Sequence, residues 1–156
     1  MEQQIKNWIE YIQKPNAIGK FAICPYAAKA MAENKVSIQL VTSLLDIPEL
    51  IKSVDVNAID VAVFYFPDYT LYSIEELQKL IATLNEEFNQ FDKVILDSDP
   101  RAPFAIDNVV TTFSDCYLIL VQGLAELNRR SETLKQTDYY SYWTQQQLNE
   151  VVVWRK

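Results

Sequence analysis

Between Ile59 and Phe66 the chain reads Ile-Asp-Val-Ala-Val-Phe-Tyr-Phe, a β-branched and aromatic run broken only by Asp60 and Ala62. A segment this apolar cannot turn one side to water, so it predicts a central strand buried on both faces. Its neighbours supply material to cover it. Ile5, Trp8, Ile9 and Ile12 recur at spacings of three and four, which predicts an amphipathic helix over 2–13, ended by Lys14-Pro15-Asn16. Ser73 and Glu76 form a capping box ahead of a helix over 74–90, with Leu77, Leu80, Ile81, Leu84 and Phe88 as its stripe. Asp46-Ile47-Pro48-Glu49 predicts a short helix to Val54, with Asp46 as its cap. Val36 to Ser43 alternates as a strand does, with Val36, Ile38 and Leu40 on one face, and Lys93 to Leu96 reads as another strand.

Strands alternating with helices predict an α/β (or α+β) chain, with a small sheet of three to five strands covered by helices. If each intervening helix is a crossover, the strands at 36–43, 59–66 and 92–96 run in parallel order. A loop with Pro100 and Pro103 carries the chain past Asn108. The C-terminal third reads as mostly helical. Ser114 or Asp115 caps a helix carrying Leu120, Leu124, Leu127 and Leu134, or else Tyr117 to Val121 is a strand; the pattern leaves both open. A last helix is expected over 138–150. No repeat or linker interrupts residues 1–156, which predicts a single α/β domain.

Absences narrow the chemistry more than totals do. There is no histidine, which removes Ser-His-Asp and Cys-His catalysis and imidazole zinc sites. Gly19 and Gly123 are the only glycines, so no glycine-rich loop can cradle a phosphate, and no cofactor is expected. The formal charge is −7, and the basic pairs Arg129-Arg130 and Arg155-Lys156 stand alone, which argues against nucleic acid. No apolar run is long enough to cross a bilayer, and the first residues lack a signal-peptide pattern. Two cysteines, Cys24 and Cys116, make no disulfide framework. The expected setting is the cytoplasm, for an acidic, soluble protein.

Cys24-Pro25 precedes a predicted helix running to Asn34, with a short apolar stretch, Phe21 to Ile23, before it. A thiol at a helix start faces free amides and the positive end of the dipole, both of which favour thiolate. Cys24 is therefore the one candidate catalytic residue, as a monothiol redox group, set against its reading as a small buried hydrophobe. The segment Cys24-Pro25-Tyr26 resembles the Cys-Pro-Tyr-Cys motif of glutaredoxins. Ala27 replaces the second cysteine, so the resemblance implies at most a one-thiol scheme, or one with Cys116 as a distant resolving thiol.

A second resemblance spans about residues 5–125. Trp8-Ile9, Ile18-Gly19 and Ile23-Cys24-Pro25-Tyr26-Ala27 are similar to the opening of a bacterial family of uncharacterised proteins, a Trp-containing helix followed by Ile-Gly and Leu-Cys-Pro-Phe-Ala. The later order of an apolar strand ending in proline (Phe66-Pro67), a long helix and a strand is similar too. That family has His-Pro where this chain has Asp99-Pro100, and Asn-Arg-Ser-Pro-Tyr-Pro where it has Phe113 to Tyr117. The resemblance implies no activity, and carries over only Cys24.

Asp97-Ser98-Asp99 closes a predicted strand, where a pair of carboxylates can hold Mg²⁺, with Asp107 or Asp115 in support; a solvated acidic turn is the alternative. The tract resembles the opening of haloacid-dehalogenase-type phosphatases, but lacks their Gly-Thr continuation. Tyr139, Tyr140, Tyr142 and Trp143 form an aromatic cluster that is either a protein-binding surface or packing against the chain's own sheet. Taken together, the residues favour action by protein or small-molecule binding. Redox chemistry at Cys24 and Mg²⁺-dependent hydrolysis or transfer at Asp97 and Asp99 are the rivals.

Overall fold

The computed structural model of the protein describes residues 1–155; Lys156, the second half of the C-terminal basic pair, lies outside the described residues. In chain order the regular elements begin with α1 (Glu2–Ile12), α2 (Ala27–Ala32), β1 (Val36–Leu40) and α3 (Ile47–Ser53). There follow β2 (Val61–Phe66), α4 (Ile74–Phe88), β3 (Lys93–Ser98), and the two-residue strands β4 (Ala105–Ile106) and β5 (Val109–Val110). The chain closes with β6 (Tyr117–Gly123), α5 (Leu124–Lys135) and α6 (Gln145–Val151), with short 3₁₀ turns between several of these.

Four strands make one sheet in the order β1-β2-β6-β3, and β4-β5 is a separate hairpin. The apolar run at 61–66 is central and buried, as its composition requires. β1 and β2 are parallel, whereas β6 is antiparallel to both β2 and β3. The expected parallel order is therefore corrected: β1, β2 and β3 do run the same way, but β6 is inserted between β2 and β3. The insertion lies in a segment the residues left open between strand and helix. Leu120 belongs to β6 and Leu124 begins α5, so neither Ser114 nor Asp115 caps a helix there.

Side chains of a sheet alternate between its faces, and the register assigns each one. One face, here the α4 face, carries Phe64, Phe66, Ile95, Tyr117, Ile119 and Val121. Ile47 and Ile51 of α3 and Leu77, Leu84 and Phe88 of α4 fill in against them. Each such side chain, taken fully out of water, is worth about 1.5–3 kcal/mol. The Ser73–Glu76 capping box starts α4 as expected, at 3.1 and 2.7 Å. Inside α4 the buried Asn85 amide reaches the outer edge of β3, accepting from Ile95 N at 2.8 Å and donating to Ile95 O at 2.7 Å. One side chain thus stands in for a missing neighbouring strand and closes that edge. Lys93 Nζ, also buried, donates to the carbonyls of Ile51 and Lys52 at 2.7 and 2.9 Å and so caps the C-terminal end of α3.

The opposite face, here the α1 face, carries Val61, Val63, Tyr65, Leu118, Leu120 and Gln122. Ile5 and Ile9 of α1, Ala27 of α2 and Phe113 cover part of it. The remaining cover is irregular. Before Cys24, Ile18 pairs only with Phe21 in an isolated bridge, and α2 starts at Ala27, two residues after Pro25. Asp107 and Asn108, both with positive φ (48° and 63°), turn the β4–β5 hairpin. With two glycines in the chain, Asn16, Asn34 and Asp92 take further left-handed positions, which their short polar side chains tolerate. Asp46 holds the N-cap position of α3 as expected, though its side chain makes no capping bond; the 3₁₀ turn Leu44–Asp46 just before it is capped by Ser43, whose hydroxyl accepts from Leu45 N at 3.3 Å. The expected helix over 138–150 is split into a 3₁₀ turn, Tyr139–Tyr142, and α6, which has its own capping box at Thr144 and Gln147. Among the described residues no helix is long and apolar enough to cross a membrane.

Candidate functional site

The α1 face is not filled. Between the sheet and its irregular cover lies a cavity of about 490 Å³, within the range of sites for small organic ligands. Its floor includes Val61, Val63, Leu120 and Gln122 of the sheet, and Trp8, Ile12 and Ala27 stand over them from α1 and α2. Phe104, Tyr139 and Trp143 close the other side. The gap follows from the cover's construction. A helix laid along a sheet drops a side chain into every hole, whereas loops propped on rings leave space between them.

The props are fixed by hydrogen bonds. Trp8 Nε1 donates to Thr111 O at 2.9 Å and Tyr11 Oη to Val110 O at 3.0 Å, tying α1 to the β4–β5 hairpin. Tyr139 Oη donates to Ile23 O at 2.5 Å, tying the aromatic turn to the segment before Cys24. Gln147 Nε2 donates to Ala105 O at 2.5 Å, tying α6 to the hairpin. The rings of Tyr139, Tyr140 and Trp143 pack edge-on or tilted at 5.1–5.9 Å between centroids. Tyr139 is buried and the other three rings of the cluster are part-buried. Phe21 adds its ring against Tyr139 and Tyr142. Gly19 has φ +56°, and a Cβ there would lie 2.1 Å from Tyr142 Oη, so the Ile18-Gly19 turn exists to let that ring in. Of the two readings of the aromatic cluster, the contacts shown are those of packing against the chain itself.

The charges around the cavity are already matched. Arg130 lies across the Tyr26 ring at 5.0 Å and pairs with Asp60 and Glu126, each at 2.7 Å. Arg129, foremost, and Arg130 hold the Glu126 carboxyl at about 2, well below the usual carboxylate range, against the opposing effect of burial. Asp99 binds Arg101 side-on, Oδ1 to Nε at 3.0 Å and Oδ2 to Nη2 at 2.8 Å. Burial works against the Asp99 carboxylate, yet its bonds with Arg101 win and lower its pKa. Asp97 accepts from Tyr117 Oη at 2.9 Å; its pKa is raised, chiefly by loss of hydration and further by Asp99, with the Tyr117 hydroxyl opposing.

Those pairings bear on the residues singled out by sequence. Asp97 and Asp99 both line the cavity, but each already has its own partner. Among the described residues no group of three His, Cys, Asp or Glu side chains is placed to hold a metal ion, so Asp107 and Asp115 do not complete one. Cys24 lines the cavity wall, and both cysteines are free. Burial pushes the Cys24 thiol up, and the Tyr26 and Ala27 amides and Arg130 do not offset it. The expected lowering at a helix start is thus outweighed by dehydration. Cys116 is buried, with its pKa raised to about 11 by burial and by Asp115.

The Gln122 amide and the Trp143 indole are unmatched polar groups of the cavity that sequence reading passed over as ligand groups; Gln78, also in the lining, is exposed. The Gln122 side chain, on the floor, makes no hydrogen bond to any described residue. Trp143 Nε1 is buried without a partner: it lies near enough to the Tyr139 oxygen to favour that phenol's charged form slightly, but completes no hydrogen bond. Once Tyr117–Gly123 is read as a strand, its signal is visible. Leu118, Leu120 and Gln122 then share a face, and Gln122 is the polar residue among them.

Compared with known proteins, the chain matches no family model, no curated protein and no solved structure.

Proposed function

We propose that this protein binds a small, largely apolar molecule in the cavity on the α1 face. The observation that carries the reading is the cavity itself: a space of about 490 Å³ lined by sheet residues Val61, Val63 and Leu120 and by Trp8, Ile12, Ala27, Phe104 and Trp143, mostly apolar side chains. Apolar walls with a few convergent polar groups are the usual composition of small-molecule sites. The self-packing of Tyr139, Tyr142 and Trp143 favours this branch of the binding reading over a protein partner docked on those rings. A cytoplasmic setting belongs to the same reading and accords with the two unbridged thiols.

The test uses N-phenyl-1-naphthylamine, a neutral dye that brightens in apolar sites. Wild-type protein should give a saturable, one-to-one fluorescence rise. Leu120→Trp, which places a large ring on the cavity floor, should abolish the rise while the far-ultraviolet circular dichroism is kept. Ala27→Leu, from the opposite wall, is the second filling variant should the first not fold. A dye signal that is absent from wild type, or unchanged in a folded filling variant, rejects the reading.

A further inference from the structure

We infer that the ligand is uncharged, and that its one or two heteroatoms are read by the Gln122 amide and, beside it in rank, the Trp143 indole N–H. The inference rests on the cavity reading above and names the class of molecule the cavity takes. It follows from a charge account of the walls. A charged group moved out of water needs an opposite charge waiting for it, or it stays outside. Arg130, the cation of the wall, is already held between Asp60 and Glu126. Asp99 is held by the fork of Arg101. Of the remaining carboxylates of the lining, Asp97 already accepts from the Tyr117 hydroxyl, and the exposed Glu150 accepts from the Gln146 amide; both repel an anion, and neither is left without a partner.

What the interior offers is neutral. Gln122 sits among Val61, Leu120 and Leu127 with both a carbonyl and an amide N–H₂ unspent. It can donate to a carbonyl or ether oxygen and accept from a hydroxyl or N–H. Gln122 is part-buried near the end of β6, so its amide stands where a ligand on the cavity floor can reach and bond it. The Trp143 N–H adds a donor without an acceptor, on a ring that also gives a flat apolar wall. The two together suit an aromatic or alicyclic body with a hydroxyl, carbonyl or ring-nitrogen function. They do not suit a phosphate, a carboxylate or an ammonium.

The experiment compares probes of one shape and different charge: naphthalene, 2-naphthol, 2-naphthoate and 2-naphthylmethylammonium, titrated at pH 7 by calorimetry or protein-observed NMR. The expected result is 2-naphthol tightest, at least tenfold tighter than either ion. Gln122→Leu should weaken 2-naphthol by about three- to tenfold, the usual worth of one hydrogen bond, and leave naphthalene unchanged or tighter. Trp143→Phe keeps an apolar ring in place and reports on the N–H in the same way. Either ion binding as tightly as 2-naphthol overturns the inference while leaving the cavity reading intact. Equal loss of naphthalene and 2-naphthol in a folded Gln122→Leu also overturns it, since the amide would then be shaping the wall and not reading a heteroatom. If none of the four binds, the cavity reading falls and this inference falls with it.

Discussion

The two faces of the sheet are built from the same strands, residue by residue in alternation, yet they end in opposite states. On the α4 face, Tyr117, Ile119 and Val121 of β6 meet two regular helices and are fully buried. On the α1 face, Leu118, Leu120 and Gln122 of the same strand meet short helices, a two-residue hairpin and a 3₁₀ turn of aromatic rings, and part of that surface borders open space. One strand thus packs its odd residues and Leu118 into the core and leaves Leu120 and Gln122 facing the cavity. The difference lies in the cover and not in the sheet. Regular helices bring closely spaced apolar stripes, whereas propped loops bring a few large side chains at fixed points.

The first way to break this contrast is truncation on each face. Phe88→Ala should cost about 3–5 kcal/mol, because the residue is buried at 1% exposure and its neighbours are held from all sides. Leu120→Ala should cost less than about 2 kcal/mol, because its side chain already faces space and loses fewer contacts. Urea unfolding measures both. Equal costs would mean that the cavity closes up in solution and that the faces do not differ.

A smaller effect probes the cover alone. Gly19→Ala puts a methyl group where Tyr142 Oη now lies and forces a left-handed backbone on a residue that disfavours it. A loss of about 1–2 kcal/mol is expected, with the Tyr142 ring displaced and dye binding altered. A melting loss with dye affinity unchanged would separate the aromatic turn from the cavity and narrow the site to Gln122 and the α1 wall.

The contrast between the faces also explains what sequence made legible. The α4 face was readable because its signals are local: a capping box four residues long, a stripe of period 3.6, a run of β-branched residues. On the α1 face the deciding contacts join distant segments, as with Tyr139 to Ile23 and Gln147 to Ala105. Leu120, Leu124 and Leu127 fit a helical spacing although the first is in β6 and the others in α5, so periodicity alone could not place the boundary. The insertion of β6 between β2 and β3 is a long-range choice with no local marker. Sequence left Cys24 open between a redox thiol and a buried hydrophobe; it stands in the cavity wall, where burial raises its pKa against the helix-start amides. Asp97 and Asp99 were found as a pair, but their partners Tyr117 and Arg101 are set by the register of β3 on β6 and by the turn after it. Gln122 was missed because its meaning appears only after the strand is chosen.

The smallest expected effect concerns acid, and it too should divide the faces. The α4 core is closed by apolar contacts, whereas the α1 rim is closed in part by Arg130 with Asp60 and Glu126. The Glu126 carboxyl is held at about 2, below the ordinary value of about 4.3 for an unfolded chain. A depressed carboxylate gives stability that is fully present above the unfolded value and is lost as pH falls through the folded one. The window is therefore about pH 4.5 down to 2, and Asp99, also lowered, loses its contribution in the same direction. Asp97 is raised and works the other way, favouring the fold as it takes up its proton. Trp8 and Trp143 line the cavity, so tryptophan fluorescence weights this side of the sheet. Melting followed by that signal should fall between pH 4.5 and 2, and Glu126→Gln should flatten the fall. The difference should be under about 1 kcal/mol, since Glu126 is partly exposed and such pairs are screened. Identical acid slopes in wild type and Glu126→Gln would show that the Arg130 pairs do not hold the rim, and the neutrality assigned to the cavity walls would then have to rest on Arg101 and Asp99 alone.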